Sequence, residues 1–201
     1  MYKHILIAIA ASVLAGFGAY AQSAGTFTDK RDGKVYRKAE INGQVWMAEN
    51  LNFAAKDSKC YDNKAENCAR YGRLYNWETA LKACPAGFHL PSFEEWETLE
   101  NTVDNSSTAG KKLKSTSGWH DNGNGTDKFG FAALPGGYGD DDGNFDYAGY
   151  YGVWWCAATR GDNMDDSDYA WGRGMVSSGE DVYMDAGYSK TLLLSVRCVA
   201  D

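Results

Sequence analysis

The chain has 201 residues, of which 44% are hydrophobic, 14% aromatic and 23% charged, with 23 glycines and only 3 prolines. This composition excludes a collagen, a coiled coil and a disordered chain, and it supplies the core of one ordinary domain. The formal net charge of −7 disfavours a nucleic-acid partner, because phosphates require a basic surface.

The first 21 residues have the layout of a secretory signal peptide. Lys3 precedes an apolar run over residues 5–17, and residues 19–21 form a small-x-small cleavage site. The apolar run is too short to span a bilayer comfortably, so an uncleaved anchor is the weaker alternative. We therefore predict cleavage near Ala21 and a mature protein that is secreted or at the cell surface, outside the membrane.

The mature chain is expected to begin with a flexible lead at residues 22–25, followed by a single domain at 26–201. Its first predicted element is a β-hairpin from Val35 to Met47, because Asn42-Gly43 is a strong two-residue turn signal.

Helices follow the hairpin and a polar loop. One is expected to start near Asn76 and to end at Ala83, before a Pro-Ala-Gly break. A second begins after Ser92, which forms a capping box with Glu95. A third, shorter helix is predicted over residues 109–113.

The remainder of the chain is predicted to be a loop-rich antiparallel β half. The strand-like runs are Phe129–Leu134, Tyr151–Thr159, Tyr169–Met175, Asp181–Met184 and Leu192–Val199. Gly/Asp-rich loops lie between them at residues 136–150 and 161–168. Because the order is a hairpin, then two or three helices, then the β half, the fold class is α+β rather than a doubly wound sheet, in which strands and helices alternate.

In an oxidising compartment, five cysteines predict two disulfides and one free thiol. Cys60 and Cys68 bracket a short polar loop and are the natural local pair. We predict that Cys84 pairs with Cys198, which would close a much longer loop. Cys156 lies in an apolar, strand-like run and is expected to be a small buried side chain.

The sequence offers few catalytic candidates. Its histidines are His4, His89 and His120, of which the first would leave with the signal peptide. No nucleophile elbow, zinc-protease helix, Walker loop or dinucleotide fingerprint is present. We therefore predict a protein that is not an enzyme.

The loops of the β half supply the predicted binding site. A sugar ring has an apolar face and a hydroxyl rim, so aromatic rings interleaved with carboxylates and amides suit polysaccharide. The predicted ligand-binding residues are Tyr138, Asp140, Asp142, Asn144, Tyr147, Tyr150, Asp165 and Asp168. The alternative for the rings is a place in the core.

No cofactor is predicted. The alternative for the acidic loops, a structural calcium ion, competes with simple solvated turns.

Several long motifs resemble one known family. They are NGQVWMAENLN at 42–52, YGRLYNWETALKACPAGFHLPSFEEWETL at 71–99, FGFAALPGGYGDDDGNF at 129–145, GYYGVWWCAAT at 149–159 and LLSVRCV at 193–199. Together they are similar to the Fibrobacter succinogenes major paralogous domain family. That family usually carries serine where this chain has Cys156, which supports an unpaired Cys156.

The resemblance implies a secreted or surface protein and a fold in the C-type-lectin-like and formylglycine-generating-enzyme-like (sulfatase-modifying-factor-like) group. Within that expectation, the first hypothesis is a non-catalytic binding or surface module for plant-fibre polysaccharide or a cell-surface partner. The alternatives are a thiol/copper oxidase of the formylglycine-generating kind, which needs a reactive thiol pair, and a structural envelope component.

Overall fold

Two five-stranded sheets organise the chain in the computed structural model, which describes residues 22–104, 107–159 and 168–201. The strands are β1 (Gln22–Thr28), β2 (Val35–Ile41), β3 (Gln44–Met47), β4 (Leu74–Tyr75), β5 (Phe88–His89), β6 (Tyr138–Gly139), β7 (Phe145–Asp146), β8 (Tyr151–Thr159), β9 (Tyr169–Val176), β10 (Tyr183–Ser189), β11 (Leu194–Ser195) and β12 (Val199–Ala200). The α-helices are α1 (Ala65–Tyr71), α2 (Trp77–Ala83), α3 (Phe93–Asp104) and α4 (Ala109–Leu113). This architecture fits the predicted α+β class.

The first sheet has the order β1-β2-β3-β12-β5, and the second has the order β10-β9-β8-β11-β4. Strands β6 and β7 form a separate two-stranded hairpin. Most pairs are antiparallel, whereas β11 runs parallel to β8. The C-terminal segment therefore belongs to both sheets, because β11 joins the second sheet and β12 joins the first.

The predicted hairpin at Val35–Met47 is confirmed as β2 and β3. Asn42 and Gly43 have φ angles of 51° and 80°, the left-handed conformation that a tight two-residue turn requires. The structure adds β1 on the outer side of β2. Gln22 and Ser23 pair there with Glu40 and Ala39, at positions where the sequence predicts a flexible lead. The polar, glycine-containing sequence of β1 gives no alternating pattern that would indicate a strand.

The three predicted helices are confirmed, and so is the capping box predicted at Ser92 and Glu95. The side chain of Asn76 accepts a hydrogen bond from the Thr79 amide at 2.9 Å at the start of α2. At α3, the Glu95 amide donates to Ser92 Oγ at 3.2 Å, and the Ser92 amide donates to Glu95 Oε2 at 2.8 Å. Within the described ranges, no helix is long and apolar enough to cross a membrane.

Strand β8 separates two hydrophobic cores. Because successive side chains of a strand point to opposite faces, Trp154 and Cys156 enter one core while Val153 and Trp155 enter the other. The first core includes Trp96 of α3, and the second contains residues of α2. Both Trp154 and Trp155 are fully buried, so the aromatic richness of β8 serves the interior.

Three predicted strand-like runs are wrong in detail, and one of them, Asp181–Met184, overlaps β10 (Tyr183–Ser189) at two residues only. Residues Phe129–Leu134 form no strand, because Gly130 and Ala132 have φ angles of 68° and 51° and break the extended conformation. The run Leu192–Val199 is not one strand but contains β11 and the start of β12, which pair in different sheets.

The cysteines pair as predicted. The sulfur atoms of Cys60 and Cys68 are 2.02 Å apart, and those of Cys84 and Cys198 are 2.04 Å apart. Cys156 is free and buried. Cys68 lies on α1, a helix that the sequence analysis does not predict within the polar loop.

Candidate ligand-binding site

Three tyrosine rings meet at the β6–β7 hairpin. Tyr138 begins β6, Tyr147 follows β7, and Tyr151 begins β8. The ring centroids of Tyr138 and Tyr147 are 5.6 Å apart, and those of Tyr147 and Tyr151 are 4.9 Å apart. The structure therefore brings together two of the predicted ligand-binding tyrosines and adds a third ring.

Tyr147 has a strained backbone. Its φ angle is 64°, in the left-handed region that bulky side chains rarely adopt and that costs about 1–2 kcal/mol. Its side chain is nevertheless 50% exposed, so burial in the core does not explain this conformation. A strained backbone that presents an aromatic ring at the surface is typical of functional positions.

An open groove of about 480 Å³ lies beside this cluster, on one face of the second sheet. Among the side chains that the structure describes, its lining consists of tyrosine and aliphatic residues: Tyr138, Tyr151, Val153, Val176, Tyr183, Tyr188 and Leu192. Four tyrosines in one groove offer flat apolar faces with hydroxyl groups at their edges. We refer to this surface as the tyrosine groove.

Two glycines of β9 make room for two of these rings. Tyr183 on β10 lies opposite Gly174, where a Cβ atom would come within 2.0 Å of the Tyr183 ring. A Cβ atom at Gly172 would come within 2.8 Å of the Tyr188 ring. The rings therefore lie against the backbone of β9, as glycine in a strand permits.

A second, polar cleft of about 380 Å³ lies on the other side of the hairpin. Its lining includes Asp57, Lys59 and residues 140–143, together with Phe145 and Leu193. Both carboxylate oxygens of Asp140 already accept hydrogen bonds within the turn. Oδ1 accepts one from the backbone amide of Asn144 at 2.8 Å, and Oδ2 accepts one from the Asn144 side chain at 2.9 Å. These hydrogen bonds lower the pKa of Asp140 and hold the hairpin turn.

The remaining predicted site residues are dispersed. Asp142 lines the polar cleft and is exposed. Tyr150 is 40% exposed but stacks on His120, with ring centroids 4.7 Å apart, rather than on the tyrosine cluster. The backbone carbonyl of Asp168, just before β9, accepts a hydrogen bond from the backbone amide of Lys190. Asp165 and most of the predicted loop 161–168 lie outside the described residues.

The sequence analysis misses Tyr151, Tyr183 and Tyr188 as groove residues. The sequence does contain one signal for these rings. Gly172 and Gly174 lie two residues apart on β9, so they leave one face of this strand open to rings from a neighbouring strand. Among the described residues, no group of three or more His, Cys, Asp or Glu side chains is arranged to hold a metal ion. The calcium alternative stays a prediction.

The chain belongs to the Fibrobacter succinogenes major domain family, whose model matches residues 39–200. The matched region starts within β2 and ends with β12, so it contains both sheets except β1 and includes the tyrosine groove. No curated protein and no solved structure matches the chain. The family assignment carries no specific activity, and function has to be argued from the site itself.

Proposed function

We propose that the protein is an exported, non-catalytic module that binds polysaccharide in the tyrosine groove. The observation that carries this proposal is the groove itself, with its four tyrosines and no charged side chain among the described residues of its lining. Stacked rings accept the apolar face of a sugar, and their hydroxyl groups can exchange hydrogen bonds with its rim. The open shape suits a chain that continues beyond the groove at both ends.

The strain at Tyr147 supports this assignment. A left-handed tyrosine next to the groove costs folding energy, and its half-exposed ring recovers only part of it through contacts with Tyr138 and Tyr151. Asp142 of the neighbouring cleft remains a candidate acceptor for sugar hydroxyls.

Export is part of the proposal and rests on the signal-peptide pattern of residues 1–21. Two disulfides fit an oxidising compartment. The thiol-oxidase alternative requires two thiols in a cleft. All five cysteines lie within the described residues, and the single free thiol, Cys156, is buried. The C-type-lectin-like assignment of the fold likewise belongs to this proposal, as the resemblance implies it.

The test is retention of the mature protein on insoluble cellulose and insoluble xylan. Tyr147→Asn removes the ring but keeps a residue that tolerates the left-handed conformation. We expect this variant to keep or slightly raise the melting temperature and to lose retention. Gly174→Ala should also lose retention, because the added methyl group displaces the Tyr183 ring.

The matched control is Tyr169→Ala. Tyr169 is 37% exposed on β9, and its side chain faces away from that of the buried Ala170, on the other side of the sheet from the groove. This variant should be retained like wild type. Failure of the wild type to bind either fibre would refute the polysaccharide proposal and favour a protein partner. Full retention of both Gly174→Ala, which changes the groove, and Tyr147→Asn, which removes the ring in contact with Tyr138 and Tyr151, would show that the site is misplaced.

A further inference from the structure

The hairpin that forms one wall of the tyrosine groove is strongly acidic. Residues 138–147 contain four aspartates and no lysine or arginine. Three of the aspartates follow one another at the turn, and Asp146 pairs directly with Tyr138 across the β6–β7 ladder. The carboxylates of Asp141, Asp142 and Asp146 belong to exposed residues, so they act on an approaching ligand rather than on the core.

These charges lie close enough to affect the groove. Asp140 is two residues from Tyr138, which limits their Cα separation to about 7 Å. Asp146 lies opposite Tyr138, at a Cα separation of about 4.5–5.5 Å for an antiparallel pair. Both distances are shorter than the Debye length of about 8 Å at physiological salt.

Among the described residues that line the two pockets, positive charge does not balance these aspartates. The polar cleft contains Asp57 and the three aspartates of the turn against one cation, Lys59. The ammonium group of Lys190 lies over the Trp77 ring, 4.5 Å from its centre, and Lys190 is not among the described residues that line the groove. The pKa of Tyr138 is raised mainly by burial, and the Asp146 carboxylate contributes to the same direction.

A ligand carboxylate would meet two penalties at this site. In the groove it would lose water without finding a cationic partner, since the described residues of the lining include none. Along the hairpin it would be repelled by like charges. A neutral chain meets neither penalty, because stacking on tyrosine does not depend on ligand charge.

We propose that the tyrosine groove selects uncharged polysaccharide chains and that the acidic hairpin excludes polyuronates. This inference rests on the proposed polysaccharide function of the same groove. It assigns to the aspartates of the hairpin a role in selectivity through charge, separate from the role of the rings in affinity.

The experiment compares affinity electrophoresis of the mature protein in soluble xylan and in polygalacturonate, at low and at physiological salt. Wild type should be retarded by xylan and not by polygalacturonate. The variant Asp57→Asn/Asp141→Asn/Asp146→Asn should keep its retardation by xylan and gain at least a several-fold retardation by polygalacturonate at low salt. Asp140 is left intact because it holds the turn.

A matched variant removes the same number of charges elsewhere. Glu94→Gln/Glu97→Gln changes exposed residues of α3, which packs on the opposite face of β8, and Glu40→Gln changes an exposed residue of β2. This triple variant should behave like wild type. An equal gain in polygalacturonate binding would overturn the inference, since net charge alone would then explain it.

Two further results separate the inference from the function on which it rests. Wild-type binding to polygalacturonate as tight as to xylan would overturn the selectivity and leave the polysaccharide function in place. Retardation of neither wild type nor the variant Asp57→Asn/Asp141→Asn/Asp146→Asn by either polymer would overturn the function and the selectivity together.

Discussion

The side-chain oxygen of Asn50 accepts two hydrogen bonds from the guanidinium group of Arg197, one from Nη2 at 2.7 Å and one from Nε at 3.1 Å. Both residues are buried, and the same oxygen also accepts the indole N–H of Trp154 at 2.8 Å. Arg197 also donates hydrogen bonds to the backbone carbonyl oxygens of Met47, Phe131 and Ala132. Burial lowers the pKa of Arg197 to about 9. The hydrogen-bond acceptors described around this buried cation are thus neutral groups. The folding stability of the protein should therefore be sensitive to the loss of any one of them.

The first prediction concerns this pair. Asn50→Ala should destabilise the protein by about 3–5 kcal/mol, because it removes an acceptor from a fully buried cation. Arg197→Met should also destabilise. In the double variant the losses should not add, and the coupling should lie in the range of about 0.5–3 kcal/mol for groups in direct contact. Urea unfolding under non-reducing conditions measures all four proteins. Additive losses would contradict the assignment of Asn50 as the partner that Arg197 requires.

The second prediction compares two fully buried tryptophans. The indole N–H of Trp154 donates to Asn50, whereas that of Trp96 has no hydrogen-bond partner in the described part of the chain. Trp154→Phe should therefore cost about 1 kcal/mol more than Trp96→Phe, since only the former breaks a hydrogen bond. Chemical denaturation of the two variants gives the comparison directly. An equal or larger loss for Trp96→Phe would indicate that its N–H is satisfied in solution.

Elements with their own local signals could be predicted from the sequence. Asn42-Gly43 encodes a hairpin turn, Ser92 and Glu95 encode a helix start, and the apolar run of β8 encodes a buried strand. These signals depend on neighbours within a few residues. The same local reasoning placed the local pair of cysteines correctly.

Features formed by distant residues could not be predicted in this way. Arg197 and Asn50 are 147 positions apart, and nothing near either residue indicates the other. Strands β11 and β12 have two residues each, so only their partners in the two sheets define them. The tyrosine groove likewise depends on the pairing of β9 with β10, which sets the rings of Tyr183 and Tyr188 against glycines.

The third prediction concerns the disulfides. The bridge from Cys84 to Cys198 closes 114 residues and that from Cys60 to Cys68 closes 8. On the chain-entropy model, replacing the first pair by alanine should cost about 4.8 kcal/mol and replacing the second about 2.5 kcal/mol. Thermal or chemical unfolding of the two double variants should preserve at least this order.

The free thiol provides an independent check on the same pairing. Burial raises the pKa of Cys156 to about 12, so alkylating reagents should modify it only after the protein unfolds. Peptide mapping without reductant should recover Cys156 in unbridged peptides. A native bridge that contains Cys156 would contradict the pairing.

The fourth prediction concerns pH. His89 contacts two carboxylates, with Nε2 2.8 Å from Glu95 Oε1 and Nδ1 2.8 Å from Asp201 Oδ1, so it joins the start of α3 to the end of the chain. Burial disfavours the charged imidazole, but the hydrogen bonds with Asp201 and Glu95 outweigh it and raise the pKa of His89 above its usual 6.5. The folded state therefore binds this proton more tightly than the unfolded state does.

The direction of the pH effect follows from that difference. The stabilisation by protonated His89 is fully present below the unfolded pKa of about 6.5, and it is lost as the pH rises through the higher folded pKa. Wild type should therefore lose some stability as the pH rises above about 6.5, and His89→Gln should show a flatter profile. Because the imidazole is partly exposed, added salt should reduce the effect. His120→Gln is the matched control, since His120 contacts Tyr150 rather than these carboxylates. Identical pH profiles for wild type and His89→Gln would show that the two ion pairs do not form in solution.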